Sequence, residues 1–72
     1  MSRNELDFVV FCVESVAGHL NMSGEDVYRL LTVDSKILDE YVVPYYGSLH
    51  TQGKEYIVSD IIEYMKREGV LK

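Results

Sequence analysis

Along much of this 72-residue chain, apolar residues recur at three- and four-residue steps, the period of one helical face. Leu6, Val9, Val10, Val13, Val16, Ala17 and Leu20 follow that rhythm and predict a first helix over Arg3–His19. Ser2 and Glu5 have the spacing of a capping box, in which hydroxyl and carboxylate each satisfy a free backbone amide at the helix start. Gly18 and Asn21 mark its exit. Ser23 followed by Glu25 and Asp26 repeats the start signal, with acids suited to the positive end of a helix, and Val27, Leu30 and Leu31 give a second helix over Gly24–Val33 an inward face. Asp34 and Ser35 offer a third cap. Ile37, Leu38, Tyr41 and Val42 continue the period until Pro44, which lacks an amide donor, stops a third helix near Val43.

Beyond Pro44 the pattern changes. Pro44 to Ser48 reads as a turn, and Gln52-Gly53-Lys54 as a second one using Gly53 at positive φ. Leu49–Thr51 and Glu55–Val58 are left as short extended segments able to pair as a hairpin. Ser59 and Asp60 then open a fourth helix with Ile61, Ile62 and Met65 inward, Glu63 placed to meet Lys66 and Arg67, and Gly69 past its end. The expectation is a mainly α, compact four-helix domain spanning residues 1–72, with a short β-hairpin or extended segment before the last helix.

A chain of this length buries only about 60% of the surface its unfolded form exposes, so it depends on regular packing or on association with another chain. Cys12 is the single cysteine, which removes an internal disulfide; with His19 and His50 it forms no finger-like spacing, so no metal or cofactor is expected. Phe8 to Val13 is the longest purely apolar run, far short of the roughly 20 residues that span a bilayer. The N-terminus has no secretory pattern, and a soluble cytoplasmic protein is expected. Twelve acidic residues against seven basic ones give a net charge of −5, with the cations interleaved among carboxylates. That balance disfavours phosphate backbones and anionic membrane surfaces and suits a basic protein partner.

Candidate chemistry is sparse. His50 beside Thr51 offers an imidazole and a hydroxyl without an identifiable third group to orient them. Cys12, inside the apolar run, is expected to be buried and inert. Gln52-Gly53-Lys54 has one glycine where a phosphate loop needs a longer spaced pattern, and His50 and Gln52 suit backbone hydrogen bonds that hold the turn or recognise a partner's main chain. Phe8 and Phe11 lie well away from the Leu6-Val13-Ala17 stripe, giving the first helix two apolar faces: either it is wrapped by the other helices, or one face buries a partner. Of the six tyrosines, Tyr45 and Tyr46 are the expected exposed anchors.

The tract Leu49-His50-Thr51-Gln52-Gly53-Lys54-Glu55-Tyr56-Ile57-Val58, together with the helix containing Phe8 to Glu14, resembles a family of small bacterial proteins of unknown function carrying a similar run before their last helix. Members are often encoded beside a larger protein resembling an ADP-ribosyltransferase. The resemblance implies a companion or antitoxin-like role and carries over no catalytic residue.

These readings converge on a non-enzymatic protein-interaction module that forms a homodimer or binds a neighbouring gene product. Its partner-binding candidates are Phe8, Phe11, Tyr45, Tyr46, His50, Gln52 and Lys54. The alternative is a helix-turn-helix-like DNA-binding regulator built on the second and third helices; it would have to expose Lys36 among Asp34, Asp39 and Glu40, which repel phosphate.

Overall fold

A computed structural model describes residues 1–71. Helix α1 spans Arg3–Leu20, and its start is the expected capping box: the Glu5 amide donates to Ser2 Oγ at 3.2 Å and the Ser2 amide donates to the Glu5 carboxylate at 2.8 Å. That amide hydrogen bond holds the Glu5 carboxyl below its usual range. The helix ends at Asn21, which takes the left-handed conformation (φ 57°), so that the Ala17 carbonyl accepts from both the Asn21 and Met22 amides. Helix α2, Gly24–Thr32, is capped by Ser23 Oγ accepting from the Asp26 amide at 3.1 Å.

The third element differs from the expected helix. Leu38–Val42 is a π-helical segment, in which the Val43 amide bonds to the Leu38 carbonyl at 3.0 Å, five residues back. Ser35 Oγ accepts from the Ile37 amide and donates to the Leu30 carbonyl at 2.7 Å, tying its start to α2. The wider turn still places Ile37, Leu38 and Val42 in the core.

The expected hairpin is absent; no strand occurs among the described residues. Tyr46–Leu49 forms a single turn, α3, and helix α4 runs Lys54–Arg67, starting before Ser59. Gly53 is its N-cap with extended backbone (φ −71°, ψ 159°), so the positive-φ turn expected there does not form. The physical reason lies in spacing: Ile57, Val58, Ile61, Ile62 and Met65 occupy one helical stripe, and burying all five outweighs the modest helix penalty of their β-branched members. Gly69, at φ 79°, closes α4 with a Schellman pair, Val70 amide to Met65 carbonyl and Gly69 amide to Lys66 carbonyl, both 3.1 Å.

Helix α1 packs against both α2 and α4. Cys12, Val16, Val27, Leu31, Val42, Ile61 and Met65 are completely enclosed, and among the described residues no polar side chain is buried. The inward stripe expected for α1 is corrected by rotation. Leu6 and Val10 are 52% and 53% exposed, while Phe8 and Cys12 are buried: the covered arc centres on Val9, Cys12 and Val16, Val10 falls beyond its edge, and Leu6 shares the angular position of the buried Val13 and Ala17 but stands in the first turn of the helix. Glu63 makes no ion pair with another described residue. Among the described residues the one ion pair is Arg3 with Asp7 at 4.0 Å, both exposed, and Arg67 instead lies over the Tyr64 ring. Among them, too, no helix is long and apolar enough to cross a membrane.

Candidate partner-binding site

The aromatic residues singled out in the sequence fall into two rows along the rim of the core. In the first, Phe8 stacks with Phe11 (ring centroids 6.3 Å apart) and meets Tyr46 edge-on at 5.3 Å, while Tyr46 stacks on His50 at 4.4 Å. Helix α1 supplies the phenylalanines at i and i+3, and the short α3 with its C-cap supplies Tyr46 and His50 at i and i+4. His50 Nδ1 lies 2.7 Å from the Tyr46 carbonyl, so its ring is held against that turn by stacking and by one backbone contact. Thr51 Oγ1 donates to the Ser48 carbonyl at 2.8 Å. Both side chains tie down the chain between α3 and α4.

In the second row Tyr45 meets Tyr41 at 5.1 Å, Tyr41 stacks on Tyr64 at 4.7 Å, and the Arg67 guanidinium sits 5.2 Å from the Tyr64 ring centre. The Tyr41 hydroxyl donates to Asp60 Oδ2, joining the π segment to α4. Burial, reinforced by that bond to a carboxylate, pushes the Tyr41 phenol well above its usual range.

Placed in the fold, the seven sequence candidates separate. Phe8 is buried and acts as the keystone of the first row, not as a surface anchor. Tyr46 is only partly exposed, again through packing on Phe8. Phe11 (40% exposed) and Tyr45 (54%) keep open faces. Gln52 is exposed and contributes its backbone amide, donated to Leu49 at 3.0 Å. Lys54 stands apart from all of them. It lines an open groove of about 960 Å³ between α1 and α4, where Lys66 and His19 face Glu14, Glu55 and Glu63 over a floor containing Val58 and Ile62. Cys12, at zero exposure, has its thiol pushed up to about 12 by burial and is no nucleophile.

A second groove, of about 290 Å³, lies between α1 and α2, and its residues escaped the sequence reading. Leu6 and Val10 form one wall and Tyr28, 51% exposed, the other; Val9 and Val13 make the floor. The groove exists because α2 runs back along α1 with a glycine at the crossing. A Cβ on Gly24 would stand 3.1 Å from Glu14 Oε1 and 3.8 Å from Val13 Cγ1. Glu14 is thereby seated against the first turn of α2, where the positive helix end favours a carboxylate. The seven apolar residues assigned to one face of α1 span about 120°, an ordinary inward stripe, so the sequence carried no separate signal for this groove.

The family model for a protein of unknown function, DUF3791, matches residues 7–68, taking in nearly all of α1, the whole π segment and all of α4. No curated protein and no solved structure matches the chain. By that match over most of its length, the chain belongs to the DUF3791 family of proteins of unknown function.

Proposed function

We propose that this domain is a non-enzymatic protein-docking module whose partner seats on the α1–α2 face. One observation carries the reading: Leu6, Val10 and Tyr28, each more than half exposed, wall a single apolar groove on a 72-residue chain, where isolated surface apolar residues would need no explanation. Phe11 adds a further half-open apolar side chain on the other flank of α1. The companion or antitoxin-like role implied by the family resemblance is one form of this reading, with the neighbouring gene product as the docked chain. The DNA-binding alternative draws less support. The element that would read DNA is a five-residue π segment, and the exposed Lys36 is flanked in sequence by Asp34, Asp39 and Glu40.

The test is site-specific photo-crosslinking in the native host. A photoreactive residue at Val10 is expected to give discrete protein adducts that the same residue at Val33, 75% exposed and outside the groove, does not. Indistinguishable adducts from the two positions would remove the assignment.

A further inference from the structure

Resting on that docking reading, we infer that the occupant of the α1–α2 groove is a basic amphipathic helix of a partner protein. The groove lies between two packed helices, α1 and α2, a form suited to one further helix presenting apolar residues at i, i+3, i+4 and i+7. Its cavity, about 290 Å³, is small enough to be filled by one or two anchoring side chains rather than by a whole small molecule, whose pockets usually run from about 300 to 1,000 Å³.

Charge selects the sign of the partner. The charged residues lining the groove are Glu14 and Glu25, with no lysine or arginine among the lining side chains. The missing Cβ of Gly24 leaves room for the Glu14 carboxylate beside the first turn of α2, at the rim of the groove. Arg3, the nearest cation along α1, is already paired with Asp7. A helix flanking its apolar stripe with lysine or arginine meets these acids as it docks, and the net charge of −5 attracts it from a distance. A second copy of the chain carries the same −5 and is repelled at long range. Glu14 and Glu25 therefore set specificity and association rate, while Leu6, Val10 and Tyr28 supply the contact area.

The experiment uses the full chain and two synthetic helical peptides with an identical leucine stripe, one filled in with lysine and one with glutamate. Binding is read by fluorescence anisotropy and located by backbone amide chemical shifts. The lysine peptide is expected to bind at least about tenfold more tightly at low salt, shifting the amides around Leu6, Val10 and Tyr28, with the advantage shrinking as salt rises. The E14Q/E25Q variant should weaken the lysine peptide by about fivefold, the size expected for two rim charges, and L6Q/V10Q should abolish its binding. Equal binding of both peptides at the groove would overturn the choice of a basic helix while leaving the docking face standing. Shifts confined to the α1–α4 groove, no binding by either peptide, or a dimer that L6Q/V10Q dissolves would also overturn it. The crosslinking at Val10 reports separately on whether the face docks protein at all.

Discussion

The same deletion, leucine to alanine, should have sharply different costs at Leu31 and Leu6. Leu31 is fully enclosed between α2 and the rest of the core, whereas Leu6 is 52% exposed on the wall of the α1–α2 groove. Removing the end of a fully buried leucine forfeits about 2.4 kcal/mol of transfer free energy, at about 0.8 kcal/mol per carbon group. The cavity left behind raises the total for Leu31→Ala to about 3–4 kcal/mol. At Leu6 only half the side chain is covered and solvent fills the space, so the transfer loss falls to about 1 kcal/mol with no cavity contribution. A domain of 72 residues has about 4–11 kcal/mol in all, so Leu31→Ala leaves a protein near its folding limit and Leu6→Ala one close to wild type. Urea unfolding followed by circular dichroism measures both, and a common slope would show that only stability has changed. If Leu6→Ala proves as costly as Leu31→Ala, Leu6 is covered in solution and the open groove is wrong; if that cost rises with protein concentration, a second copy covers it.

Gly24→Ala should raise stability by about 0.5 kcal/mol in the same assay, because Gly24 has ordinary helical geometry and the atom in the way is the free end of the Glu14 side chain; peptide selectivity at the groove should fall as that carboxylate moves. Tyr41→Phe should cost about 1 kcal/mol at neutral pH through the lost bond to Asp60. Because the folded state holds the Tyr41 proton more tightly than the unfolded chain, its contribution is intact below pH of about 10 and is lost as pH rises beyond it, so the variant's stability should decline less on alkaline titration. Cys12 should resist a thiol reagent under native conditions and react fully in denaturant, as monitored by mass spectrometry; rapid native labelling would contradict its enclosure.

Local signals were legible in the sequence. Ser2, Ser23 and Asn21 act where their side chains and backbone preferences placed them, and α1 and α2 end within a residue or two of expectation. Cys12 is buried, as its apolar run implied. What failed depended on tertiary context. Ile57 and Val58 favour strands in isolation, yet four-residue repetition through Met65 lets α4 bury them together with Ile61 and Ile62. Glycine at position 53 suggested a reversal where it serves as a helix cap. The site was half legible for a related reason. Periodicity shows that α1 has apolar residues almost all round, but which of them face outward is decided by how α2 crosses it at Gly24, a distance relation that no window of neighbouring residues contains.

The π segment carries a consequence for chain length. One surplus residue is accommodated there by a widened turn, and Asp39 and Glu40, at its outer side, are exposed. Deleting either would shorten the Leu38-to-Val42 interval from four positions to three, two spacings that point the same way on a regular α-helix. Here the chain can lose a residue while both aliphatic side chains still face inward, which makes this segment the natural place for single-residue insertions and deletions to accumulate.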